Sequence, residues 1–270
     1  NTSGVLDGDA GNDSGVFAFD LNSTVPTGFQ IISDGSDGAL IQQDQGSGFV
    51  TVLTVTLNAA TGAYTVTQNA NILHEDDGTT RENDIAFTLN YSMTDGDTDV
   101  ATSSLVINVD DDTPTADDSA VVTGQVDEDA LLNGIEGGPG DVDGGAGTVT
   151  DTATGSVAGL FSAGADAPLT FGFDTAAAQA YLTGLGLESD GAPLAFIVSG
   201  SQIAATAGAG GDPVFTLFVA SNGDYLFDLF GPLDHPQAGV EDELSIEFGP
   251  ILQATDADGD TVNASGNFTI

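Results

Sequence analysis

The sequence predicts an all-β protein built from two tandem antiparallel β-sandwich domains. Three observations carry this. Apolar and polar residues alternate at period two along much of the chain, Gly- and Asp-rich turn signals interrupt the alternation at short spacing, and one series of motifs occurs twice in the same order.

The elements follow from these patterns. In "VLTVTL", Leu53, Val55 and Leu57 point one way and Thr54 and Thr56 the other. In "IAFTLNYSM", Ile85, Phe87, Leu89, Tyr91 and Met93 share a face, and "SSLVINV" repeats the pattern with Leu105, Ile107 and Val109. Turns such as "SDG", "DGD" and "NGD" separate the strands, which suits sheets that are apolar inside and polar outside. The stretch "DTAAAQAYLTGL", 174 to 185, reads either as a short helix capped by Asp174 or as a strand connection.

The repeat sets the domain organisation. Tyr64 in "GAYTV" matches Tyr225 in "GDYLF", an offset of 225 − 64 = 161, and His74 and His235 keep it. "ENDIAF" at 82 to 87 matches "EDELSI" at 241 to 246, "FAFD" at 17 to 20 matches "FGFD" at 171 to 174, and "DGDT" at 95 to 98 is aligned with "DGDT" at 258 to 261. Copy one runs out through "INVDDDTP", which places repeat one at 1–114 and repeat two at 115–270. Copy two carries an opening segment, roughly 115 to 155, that copy one lacks. Repeat one is therefore expected to miss its N-terminal part, and the chain to be an excerpt of a longer array.

Composition narrows the partners. Forty-two carboxylates face one basic residue, Arg81, for a formal charge of −41. No basic patch can form, which excludes nucleic acid and anionic membrane surfaces. A hydrophobic fraction of 40% with 15 Phe supplies a core and argues against general disorder. No apolar run of about 18 residues is present, so no direct membrane insertion is expected. There is no cysteine, which removes disulfides and thiolate metal sites. A surface of this charge invites divalent cations or high salt.

Two acidic constellations are candidates for a cation. If "IAFTLNYSM" and "SSLVINV" form a hairpin, Glu82 and Asp84 lie at its open end beside Asp110, Asp111 and Asp112. Five carboxylates there repel one another unless a cation sits among them, and calcium, which takes six to eight oxygens, suits the set best. The second is the closed end of each hairpin: Asp256, Asp258 and Asp260 in "ATDADGDTV", and Asp95 and Asp97 in "MTDGDTDV". These loops read as metal sites or as plain hairpin turns, and the copy at 95 to 98 is taken to have one fewer alternate Asp. The expectation is that Asp256 and Asp258 face Glu82, Asp84 and the Asp110–Asp112 linker across a shared calcium. His74 and His235 are expected to be structural corners, and the stretch at 136 to 146 reads either as adding Asp141 or Asp143 to that site or, more simply, as a solvated loop.

The motifs "RENDIAF", "VDDDTP" and "VDED" resemble the acidic motifs of cadherin-like repeats. That resemblance implies a calcium role for Glu128 together with Glu241 and Glu243 at the far end of repeat two. "FTLFVASNGDYLFDLFGPLDHP", "EDELSIEF" and "ATDADGDTV" resemble the repeat domains of giant bacterial RTX adhesins exported by type I secretion. That implies a calcium-stiffened extender on the bacterial cell surface, contacting neighbouring repeats of its own chain and without enzymatic activity. A calcium-dependent sugar- or peptide-binding module is the alternative, but Trp is absent, and aromatic sugar platforms are hard to build with 4 Tyr. A glycosidase is not indicated, because among 42 acids some pair stands at any spacing. Halophilic acidity is the remaining reading of the charge.

Overall fold

A computed structural model describes residues 2–74, 84–132, 134, 150–237 and 242–270. It is all-β but for one short α-helix and three brief 3-10 turns among the described residues, and it divides into two compact units, residues 1–112 and 113–270. No helix is long and apolar enough to cross a membrane among the described residues.

Unit 1 contains β1 (Thr2–Val5), β2 (Val16–Phe19), β3 (Phe29–Ser33), β4 (Ala39–Asp44), β5 (Phe49–Leu57), β6 (Ala63–Gln68), β7 (Ile85–Thr94) and β8 (Val100–Val109). They form a five-stranded sheet in the order β1-β6-β5-β4-β3 and a three-stranded sheet in the order β2-β7-β8. Ile41, Leu53 and Val55 from the first sheet and Phe87, Leu89 and Ile107 from the second share one apolar cluster, so the two sheets bury their inner faces together. The alternation read from β7 holds: Phe87, Leu89, Tyr91 and Met93 are all buried.

Unit 2 contains β9 (Thr115–Ala116), β10 (Val121–Thr123), β11 (Thr152–Ser156), β12 (Phe161–Ser162), β13 (Thr170–Phe173), α1 (Thr175–Gly184) and β14 (Glu188–Ser189). It continues through β15 (Ala192–Val198), β16 (Gln202–Ala207), β17 (Pro213–Val219), β18 (Asp224–Leu229), β19 (Leu252–Thr255), β20 (Thr261–Asn263) and β21 (Asn267–Thr269). A six-stranded sheet runs β11-β18-β17-β16-β15-β14, and a smaller one runs β13-β19-β20. β10 lies parallel to β21, and β9 pairs with β12. Phe173, Phe215, Phe227, Phe248 and Phe268 fill the common core. The 174–185 segment is a helix: the Asp174 carboxylate accepts from the Ala176 and Ala177 N–H groups at 3.0 and 3.1 Å, and Ala178 and Leu182, four residues apart, turn inward.

The duplication extends to irregular detail. The β4–β5 ladder slips after Ile41, so Val52 and Leu53 are both buried; the β16–β17 ladder slips after Ala205, burying Val214 and Phe215 together. Gly4 stands opposite Tyr64 and Gly155 opposite Tyr225. A Cβ on either glycine would lie 2.7 Å from the tyrosine side chain, so the ring lies across a position that only hydrogen can fill. Gly4 and Gly155 being counterparts, β11 corresponds to β1. The segment of unit 2 without a counterpart therefore ends at residue 151, a few residues short of the expected 155.

Candidate metal centre

The closed end of each hairpin is built the same way. In unit 1 the Asp95 N–H donates to the Asp99 carbonyl at 3.0 Å, while Asp95 Oδ1 accepts from the N–H groups of Asp97 and Asp99 at 3.2 and 2.9 Å. In unit 2 the Asp256 N–H donates to the Asp260 carbonyl at 3.0 Å, and Asp256 Oδ1 accepts from Gly259 and Asp260 at 3.1 and 2.8 Å. The structural counterpart of Asp256 is thus Asp95, at the same offset of 161 as the tyrosines. The identical letters "DGDT" mislead by two residues. Asp95, Asp97 and Asp99 correspond to Asp256, Asp258 and Asp260, so the first loop has three alternate aspartates, not two, and Asp99 is the one the sequence comparison missed. The backbone confirms the register: the left-handed position is Gly259 (φ 117°) in one loop and Thr98 (φ 81°) in the other.

Burial separates the two loops. Asp256 and Asp260 are 5% and 6% exposed and Asp258 is half-buried, whereas Asp97 and Asp99 are exposed and Asp95 is half-buried. The segment of Asp166, itself buried, lies against the second loop, its carbonyl accepting from the Ala257 N–H at 3.0 Å. Burial, together with the hydrogen bond and charge of Asp258 next to it, pushes Asp256 up to about 7. Asp256 Oδ2 is buried and meets no N–H donor among the described residues. Two carboxylates this close share the space between them only with a proton or a cation. The carboxylates of the loop itself are oxygen donors of the kind calcium and magnesium take.

In unit 1 a carboxylate oxygen from each of Asp13, Asp95 and Asp97 lies within 4.8 Å of the others. The hydrogen bond between Asp95 and Asp97 holds Asp95 below the usual range and Asp97 above it. Asp13 was not found from the sequence. Its signal is an aspartate shortly ahead of the Phe-x-Phe strand in both repeats, Asp13 before Phe17 and Asp166 before Phe171.

The other constellation is arranged differently from the expected five-carboxylate cluster. Glu82 and Glu241, like Asp141 and Asp143, lie outside the described residues. Ile85 pairs with Val109, so Asp84 and Asp110 do flank the open end of the hairpin, but both are exposed, as is Asp112. Asp111 instead turns inward: its Oδ1 meets His74 Nδ1 at 2.5 Å, with both residues buried. A buried carboxylate beside an imidazole is a hydrogen-bonded pairing of the kind buried polar groups need. His235 also sits between carboxylates, 3.5 Å from Glu128 Oε1 and 3.4 Å from Asp242 Oδ1. Glu128 Oε1 further accepts from the Leu233 N–H at 2.6 Å. Glu243 is exposed.

No curated protein matches the chain significantly. The family described as "Domain of unknown function (DUF5801)" matches residues 1–108 and again residues 109–269, two successive copies that together span almost the whole chain. The duplicated strands, bulges and aspartate loops thus correspond to two copies of one domain, and the chain belongs to the DUF5801 family.

Proposed function

We propose that the chain is a structural extender module of a secreted or cell-surface bacterial adhesin. In this reading its two units are Ig/cadherin-like β-sandwich repeats, stiffened by calcium bound among their acidic loops, and the chain has no catalytic role. The observation that carries it is the Asp256–Asp258 pair. One carboxylate is buried with an oxygen that meets no N–H donor among the described residues, beside a second carboxylate, on a hairpin end that recurs with the same three aspartates in the other repeat. A cation relieves that arrangement at neutral pH, and extracellular calcium modules bind with Kd on the order of 10⁻⁴ to 10⁻³ M. At calcium a hundredfold above Kd, one site adds about 2.7 kcal/mol of stability.

The test is calcium titration followed by scanning calorimetry, with small-angle X-ray scattering in calcium and in EDTA. The extender reading expects Tm to rise with calcium in the millimolar range and the scattering profile to change when calcium is removed. A Tm and a profile both indifferent to EDTA would overturn it.

A further inference from the structure

The two units differ at one sheet edge. In unit 2, β21 is flanked by β10, which runs parallel to it, pairing Val121 with Asn267, Val122 with Phe268 and Thr123 with Thr269. The Phe268 carbonyl turns away, accepting from the Phe248 N–H, while the Thr269 carbonyl accepts from Gly124 at 2.9 Å. β10 also reaches the larger sheet: a Cβ on Gly124 would lie 2.9 Å from the Tyr225 hydroxyl and 3.1 Å from Ala153. It thereby closes the side of the unit, and Tyr225 is only 4% exposed.

By the 161-residue offset, Asn267–Thr269 correspond to Val106–Asn108 of β8. That strand ends its sheet, and no strand flanks it among the described residues. Val106 is 54% exposed, and Tyr64, the counterpart of Tyr225, is only half-buried. We propose that the β8 edge at Val106–Asn108, with the Tyr64 ring near it, is a docking groove. Its occupant is a short parallel strand of the Ala120–Gly124 type, three β-branched residues followed by a small residue that fits over the tyrosine. The strand is delivered in cis. A separate copy of a chain with charge −41 is repelled, whereas a tethered segment has a high effective concentration. Leu105 occupies the place of Gly266, where a Cβ would lie 2.5 Å from the Ala120 carbonyl, so the turn ahead of the strand must take a wider path in unit 1. The pairing at 106–108 is the part that carries over.

The repeat supplies the experiment. Gly155 matches Gly4, so residue 152 matches residue 1, and a copy of residues 113–151 fused directly ahead of residue 1 reproduces the connectivity of unit 2. In the extended chain, amide exchange at Asn108 is expected to slow by roughly tenfold, as one added hydrogen bond would give. The same extension carrying Pro in place of the residue matching Val122 is expected to leave exchange as in the parent chain. Unchanged exchange in the first extension overturns the proposal. So does protection of β8 in the parent chain that grows with protein concentration, since that marks edge-to-edge pairing of two copies.

Discussion

Asp256 concentrates the chemistry of its loop in one side chain. Its Oδ1 holds the turn together through two backbone N–H groups, its Oδ2 is buried, and the Asp258 carboxylate lies close by. The group is raised from 3.8 to about 7, so without calcium its contribution to stability is full below pH about 4 and is lost as pH rises through 7. Asp256→Asn keeps the turn acceptor and removes the charge. In EDTA at pH 8 it should stabilise the protein by ~1–3 kcal/mol and flatten this part of the pH profile. The same substitution should abolish the Tm gain from calcium, so calorimetry of both proteins between pH 4 and 8, with and without calcium, reads both effects. Thr98 offers a second test. A β-branched residue at φ 81° carries a backbone cost that Gly259 avoids at the equivalent place. Thr98→Gly should therefore raise stability by about 0.5–1 kcal/mol, and Gly259→Ala should lower it by about 1 kcal/mol or more, both measurable by urea unfolding.

At the scale of elements, the Gly–Tyr cross-strand pair is the tightest repeated contact. Gly155→Ala places a methyl 2.7 Å from the Tyr225 ring, which must then shift against Phe268, its neighbour at 4.8 Å between centroids. We expect a loss of ~1–3 kcal/mol in unit 2 from that overpacking, and a similar loss in unit 1 from Gly4→Ala. Thermal melts of each variant test this. These pairs also show what was legible in the sequence. β7 could be read because its inner face alternates strictly from Phe87 to Met93. The Val52 and Val214 bulges could not, because one extra residue buries two neighbours in succession and erases the alternation. The sequence of 174–185 allows a helix or a strand connection, and the Asp174 carboxylate, closing on the Ala176 and Ala177 N–H groups, makes it a helix. In the aspartate loops the letters "DGDT" suggested one register and the backbone adopts another, because the turn is set by which residue takes positive φ. Asp13 reaches Asp95 only across the fold, beyond the range of a local motif. Asp111 lies beside His74 and Glu128 beside His235, pairings between residues far apart in sequence that no local motif displays.

At the scale of the whole molecule, 42 carboxylates against one arginine create a self-repulsion that any counter-ion relieves. Stabilisation by calcium is therefore not evidence of a site until general screening is separated from specific coordination. Screening depends on ionic strength and falls on all exposed charges alike, with a Debye length of about 10 Å at 0.1 M. A site at Asp256 depends on the divalent ion and on one carboxylate. The decisive comparison is Tm against added calcium chloride and against sodium chloride at matched ionic strength, for the parent protein and Asp256→Asn. If the loop is a calcium site, millimolar calcium raises the parent Tm well beyond its sodium control, and the variant shows only the increment that both salts share. If the acidity is instead an adaptation to salt, the two salts coincide at matched ionic strength and stability continues to climb into molar sodium chloride. Parent and variant then respond in parallel, and the extender reading fails at the residue on which it rests.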